Sequence, residues 1–133
     1  MGAVVADTHT AIWYLFRSSD LSAKALAVLR GVVEAGDPIF VASVSLVEAT
    51  YLIEKGGLPR VALERLDQGL SGVDAAFVPV ALDLTVARAV HKIPQDLVPD
   101  LPDRIIAATA LTLDVPLVTC DRRLQAANIH TIW

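Results

Sequence analysis

Cysteine is almost absent from this chain of 133 residues: Cys120 is the single one. That excludes an internal disulfide and a cysteine-built zinc site. Long apolar runs are missing as well. None approaches the ~18 residues of a membrane span, and the N-terminus shows neither a basic region nor a signal-length apolar stretch. The expectation is a cytoplasmic protein without a membrane association. Positive charge is in deficit, with 11 Lys and Arg against 15 Asp and Glu and a formal net charge of -4. A long basic nucleic-acid footprint is therefore not expected. Acids offset by bound cations remain compatible with that balance. Low-complexity and disordered segments are lacking too: hydrophobic residues make up 54% and charged residues 20%, a globular composition. The length suits one domain, residues 1–133, with a sizeable core.

What is present is a pattern of short apolar runs alternating with helix-spaced segments. Ala3-Val4-Val5-Ala6 reads as a strand buried on both faces, and it ends abruptly in Asp7. A helix follows from Thr10 to about Phe16. Ser22 is placed to cap a second helix, which Gly36-Asp37-Pro38 terminates. Ile39 to Ala42 is a second strand, and Ser45-Leu46-Val47-Glu48 opens a third helix running to Gly56-Gly57. Pro59 to about Leu70 is a fourth helix. Phe77 to Val80 is a third strand, which Pro79 marks as an edge. Asp83 to His91 is a helix, and Pro94 to Pro102 a loop rich in proline and acid. Asp103 opens a buried helix to Leu113. Pro116 to Thr119 is a fourth strand, Asp121 to Ala127 a short helix, and His130 to Ile132 a fifth strand. This alternation predicts an α/β fold: a three-layer α/β/α sandwich around a parallel sheet of four to five strands.

Four acids hold equivalent places in that pattern. Asp7 and Asp121 follow strands, Glu48 lies just after the second strand, and Asp103 opens the helix before the fourth. In a parallel sheet these positions share the carboxyl edge, where open α/β folds place ligands. Each acid alone also reads as a helix cap: Ser45-x-x-Glu48 matches a capping box and Asp100-x-x-Asp103 matches one loosely. Capping does not require the acids to converge. Four convergent carboxylates repel unless a cation lies among them. Hard divalent ions take such oxygen ligands, and the arrangement suits metal-assisted phosphodiester hydrolysis.

Taken with their order, Val4-Val5-Ala6-Asp7-Thr8-His9, Ser45-Leu46-Val47-Glu48, the run Pro102-Asp103-Arg104-Ile105-Ile106-Ala107-Ala108-Thr109-Ala110 and Leu117-Val118-Thr119-Cys120-Asp121 resemble a PIN-domain ribonuclease of the VapC toxin type. The resemblance spans essentially the whole chain. It implies that Asp7, Glu48, Asp103 and Asp121 are catalytic and hold Mg²⁺ or Mn²⁺ in an RNA endonuclease. It implies that Thr119 supports the fourth acid by a hydroxyl hydrogen bond. It also implies a homodimer and a cognate antitoxin protein. Arg104 and Arg122 are candidate contacts to RNA phosphates, while Arg123 reads as an exposed helix charge. His9 reads as a packing or supporting residue, and His91 and His130 as surface residues. Trp13 reads as core; Tyr14 or Phe16 suits an antitoxin groove. The role of Asp100 is open. The alternatives are a non-enzymatic Mg²⁺-binding phospho-receiver, a dehalogenase-like phosphatase and a catalytically silent PIN binding module. The first would need an acid after the third strand, where Ala81-Leu82 stand. The second would need an acid two residues after Asp7, where His9 stands. The third is disfavoured by the completeness of the acids.

Overall fold

The computed structural model describes residues 2–133. These residues form five strands: β1 (Val4–Ala6), β2 (Ile39–Ala42), β3 (Val78–Val80), β4 (Leu117–Val118) and β5 (Thr131–Ile132). They form one sheet in the order β3-β2-β1-β4-β5, and every pairing is parallel. The first three strands step outward from β1 to one edge. The chain then returns to place β4 on the other side of β1. The reversal between β1 and β4 opens a crevice at their carboxyl ends, the position where such sheets bind ligands. Pro79 lies on β3, an outer strand bonded only to β2. A missing N–H is tolerated there.

Among the described residues seven α-helices cover the sheet: α1 (Thr8–Phe16), α2 (Ala23–Glu34), α3 (Val44–Glu54), α4 (Arg60–Ser71), α5 (Leu84–Ala89), α6 (Leu101–Leu113) and α7 (Arg122–Ala126). Side chains alternate between two cores. Val4, Ala6, Ile39, Val41 and Val118 face one, packed with Ile12 of α1, Leu29 of α2 and Leu66 of α4. Val5, Ala42 and Leu117 face the other, packed with Val86 of α5, Ile106 of α6 and Leu124 of α7. The three layers follow from this period-two alternation of fully apolar strands. α3 contributes Ala49 to the first core and Val44 to the second.

Local signals explain most boundaries. Ser22 accepts a hydrogen bond from the Ala25 N–H at 3.0 Å and starts α2. α2 ends in a left-handed Gly36 at φ 77°, with the Asp37 N–H donating to the Val32 carbonyl and the Gly36 N–H to that of Val33. That pairing is a Schellman motif, which glycine adopts without strain. Other boundaries shift because acids sit outside the helices as caps. Asp7 accepts from the Thr10 N–H, so α1 begins at Thr8 rather than Thr10. Asp100 accepts from the Asp103 N–H, so α6 begins at Leu101 and Asp103 lies within its first turn. Asp83 caps α5, which ends at Ala89 and tightens into a 3₁₀ turn, Val90–Lys92. No helix among the described residues is long and apolar enough to cross a membrane.

Ile106 is fully buried in the second core, where α6 meets the sheet. Ile106→Ala should cost about 2–5 kcal/mol of folding stability, the range for an isoleucine truncated where neighbours cannot collapse. Chemical denaturation with unchanged m-value is the measurement; a loss below about 1 kcal/mol would mean the α6 interface relaxes freely.

Candidate functional site

Asp7 leaves β1 directly into the crevice. It is only 8% exposed. Its Oδ1 accepts the Thr10 N–H at 3.0 Å, and its Oδ2 accepts the hydroxyl proton of Thr119. The Thr119 oxygen in turn accepts the Asp121 N–H at 3.0 Å. This buried threonine therefore ties the ends of β1 and β4 together. The expected support of the fourth acid is corrected in detail: the hydroxyl proton goes to the Asp7 carboxylate, and Asp121 is held by its backbone. Asp121 caps α7, with Oδ1 accepting the Arg123 N–H at 2.8 Å.

Glu48 is positioned differently from a capping-box acid. α3 begins at Val44, immediately after Ser43, so Glu48 falls in its second turn. No side chain caps this helix; the Ser43 hydroxyl accepts the Leu82 N–H instead. Ser45 is fully buried inside the helix. Thr8 Oγ1 lies 2.9 Å from Ser45 Oγ and 2.5 Å from Glu48 Oε1. Thr8 has one proton, and an ionised carboxylate only accepts. Hence Thr8 donates to Glu48, and Ser45 donates to Thr8. The capping box proposed from Ser45-x-x-Glu48 is absent, and the same residues form a relay that orients the acid.

Asp7, Thr8, His9, Glu48, Asp103, Cys120 and Asp121 line a cavity of about 270 Å³. The structure thus brings together all four acids read from the sequence. It also adds Asp100, which sequence reasoning left open. Oxygens of Glu48, Asp100 and Asp103 all lie within 4.8 Å of one another. Two oxygens bound to one Mg²⁺ at about 2.1 Å are at most about 4.2 Å apart, so this trio needs little movement to share an ion. Every potential ligand in the trio is a carboxylate, which suits Mg²⁺ or Mn²⁺ rather than a soft metal.

The electrostatics match a crowded anionic site. Burial pushes the Asp7 carboxyl above its usual range, against the hydrogen bonds from Thr119 and Thr10. Burial likewise raises Glu48, against its bond from Thr8, with Asp100 adding to the shift. Asp103 is pushed up to about 8, first by burial and then by Asp100, Glu48 and Asp121. A carboxyl lifted that far keeps its proton at neutral pH. A divalent cation would replace such a proton. Burial raises the Cys120 thiol, helped by the charge of Asp7. It therefore stays a neutral thiol rather than a metal-binding thiolate.

The remaining candidates separate. Arg104 donates from Nε to the Ile93 carbonyl at 3.1 Å and from a terminal nitrogen to the Val90 carbonyl at 3.3 Å. It ties α6 to the 3₁₀ turn, a structural task the sequence did not reveal. Arg122 is exposed on the first turn of α7, directly beside Asp121. The His9 ring packs on Trp13 at a centroid distance of 5.5 Å, and Trp13 meets Trp133 at 6.0 Å. Tyr14 contacts Phe77, while Phe16 is exposed beneath the Arg65 guanidinium. Thr8 and Ser45 are the supporting residues that sequence reasoning missed. The one available signal was a hydroxyl adjacent to the first acid.

Comparison with known proteins identifies the family and the fold. The PIN domain family model matches residues 4–129. Ribonuclease VapC22 of Mycobacterium tuberculosis (strain ATCC 25618 / H37Rv) is 30% identical over 136 aligned positions, covering 100% of both chains. Among solved structures, VapBC2 from Rickettsia felis, bound to a DNA fragment from its promoter, matches with TM-score 0.70 at 15% identity, covering 98% of this chain and 97% of that one. FitAB bound to an IR36 DNA fragment matches with TM-score 0.66 at 19% identity, covering 97% and 93%. The last two establish a shared fold. With a family match across nearly its whole length and a full-length relative at 30% identity, the chain belongs to the PIN-domain family, in its VapC branch.

Proposed function

We propose that this protein is a divalent-metal-dependent endoribonuclease and the toxin of a toxin–antitoxin pair. The observation that carries the reading is the convergence of Asp7, Glu48, Asp103 and Asp121 in one cavity, with Asp100 at its side. Asp7, Glu48, Asp103 and Asp121 would hold Mg²⁺ or Mn²⁺, and Asp100 would complete the set. A bound divalent ion there supplies an activated water and charge stabilisation for in-line displacement at phosphorus. The chain's own residues do the positioning. The Thr119 hydroxyl fixes the Asp7 carboxylate, and the Ser45–Thr8 relay fixes that of Glu48. Arg122, exposed next to Asp121 in the first turn of α7, would receive a substrate phosphate.

The full-length relative is named a ribonuclease, and the solved neighbours are toxin–antitoxin assemblies. Those names support RNA as substrate and an antitoxin as partner; a homodimer is the assembly we propose with them. A phospho-receiver reading gains no support, because β3 is an outer strand followed by exposed Ala81 and Leu82.

Purified protein free of antitoxin is expected to cleave a mixed RNA pool in millimolar Mg²⁺ or Mn²⁺. Chelation with EDTA should stop cleavage, and excess metal should restore it. Undiminished cleavage in EDTA would refute the metal mechanism. A parent protein that cleaves no RNA with either ion would favour the silent binding module.

A further inference from the structure

A substrate phosphate entering the acid cavity needs hydrogen-bond donors as well as a cation, and the lining offers few. Asp7, Glu48, Asp103 and Asp121 only accept once ionised. The single hydroxyl proton of Thr8 goes to Glu48. The thiol of Cys120 is a weak donor. Among the described lining side chains, that leaves His9. An imidazole carries an N–H in either neutral tautomer, so it can donate without gaining a charge. None of the hydrogen bonds that knit the site together uses a ring nitrogen of His9. The residue is partly exposed. It also stands outside the carboxylate trio whose oxygens lie close enough to share an ion.

The ring is held in place from behind. Trp13 follows His9 by four positions on α1 and so lies on the same face of the helix. The two rings meet at 5.5 Å with a 48° tilt. Trp13 in turn meets Trp133, which follows β5, at 6.0 Å and 55°. Tilted contacts of this kind are a favoured aromatic geometry. They brace a donor at the cavity from two elements of the fold. A prepositioned donor acts most strongly where charge develops in the transition state. In displacement at phosphorus, that charge is spread over the non-bridging oxygens.

We infer that His9 donates a hydrogen bond to a non-bridging oxygen of the scissile phosphate and is a further catalytic residue of RNA cleavage, with Trp13 and Trp133 as its support. The inference rests on the ribonuclease reading above. Packing on Trp13 is then the means by which the donor is held, rather than the whole task of the residue.

The test compares the parent with His9→Phe, His9→Asn and His9→Gln. Phe keeps an aromatic ring against Trp13 and has no donor. Asn and Gln lack the ring but offer an amide N–H near the Nδ1 and Nε2 positions. His9→Ala replaces His9→Phe if the larger ring disturbs the fold. Trp13 and Trp133 are the only tryptophans in the chain. Their emission and the melting temperature therefore report the fold of each variant independently of activity. Cleavage is measured in Mg²⁺ on a short RNA with one cut site, mapped first with the parent. We expect His9→Phe to lose on the order of 100-fold in kcat, the scale for one prepositioned donor. KM should change little, because the bond strengthens as charge builds on the phosphate. The better of Asn and Gln should recover part of the loss. Sulfur in place of each non-bridging oxygen in turn should cost the parent more than it costs His9→Phe at one of the two, as expected for a shared contact. The melting shift caused by Mg²⁺ at constant ionic strength should be the same in His9→Phe as in the parent.

A fully active His9→Phe would leave the ring a packing group and overturn the inference, with the ribonuclease reading intact. Equal losses in Phe, Asn and Gln would overturn it too, as would sulfur penalties that do not depend on residue 9. A smaller Mg²⁺ shift in His9→Phe would make the ring a metal ligand and likewise overturn it. A parent that cleaves no RNA would refute the ribonuclease reading and this inference with it.

Discussion

Asp7→Asn is expected to abolish RNA cleavage while leaving the protein folded. Removal of supporting partners around a metal ligand typically costs about 10–100-fold. Loss of a ligand itself should exceed that, and we expect kcat/KM to fall at least about 10³-fold. Folding should survive for three reasons. Asn caps a helix about as well as Asp, so the Thr10 N–H keeps its acceptor. The amide nitrogen that replaces Oδ2 can donate to the Thr119 oxygen, so that contact survives with its direction reversed. Removing a charge from a buried cluster of like charges relieves repulsion. Cleavage and metal-free melting temperature measured on the same preparation separate chemistry from stability. A variant that cleaves normally would remove Asp7 from the reaction. The toxin reading adds a cellular readout: expression of the parent should arrest growth, and expression of the variant should not.

The outline of this site was legible because its acids occupy positions defined by the fold. A fully apolar run such as Val4-Val5-Ala6 is confined to a two-sided parallel strand, so an acid at its end marks the carboxyl edge of the sheet. The same logic located Asp121. Pro79 correctly marked an outer strand. What was not legible depended on distances between segments far apart in sequence. Ser45 and Glu48 carry the spacing of a capping box, yet α3 starts two residues earlier than that box would require, directly out of β2. The hydroxyl then meets Thr8, 37 residues away. Asp100 combines a local role, as cap of α6, with a long-range one beside Glu48, and spacing reveals only the first. Arg104 looked available because its two acceptors, the carbonyls of Val90 and Ile93, belong to a backbone whose path spacing cannot give. Local propensity thus sets the caps, while tertiary packing decides which side chains they also serve.

The metal-free protein should lose stability as pH rises from about 4 to about 8, and Mg²⁺ should reverse that loss. Asp103 carries the sign. Its ordinary value is 3.8, and burial with the charges of Asp100, Glu48 and Asp121 lifts it to about 8 in the folded chain. Between those values the folded state holds a proton that the unfolded chain has released. Stability therefore falls with pH over that window. It is fully present below the unfolded value and gone above the folded one. Asp7 and Glu48 are shifted in the same direction and add to the slope. On the proposed reading a divalent ion would replace the proton and bind the folded state preferentially. At a concentration 100-fold above its dissociation constant it contributes about 2.7 kcal/mol, a melting shift of roughly 8–14 °C at about 3–5 °C per kcal/mol for this size. Asp103→Asn should flatten the metal-free pH slope, keep or raise stability at pH 8, and shrink the Mg²⁺ shift. Asp121→Asn should also shrink that shift, while its side-chain oxygen still caps α7 through the Arg123 N–H. Melting curves with and without Mg²⁺, at constant ionic strength, provide the measurement, since general screening is then matched. The adverse result is an Mg²⁺ shift that stays the same when Asp7, Asp103 and Asp121 are each replaced by Asn. An ion that stabilises all three variants equally is held by other residues, and the carboxylates at the ends of β1 and β4 would then serve only as helix caps and as partners of Thr119.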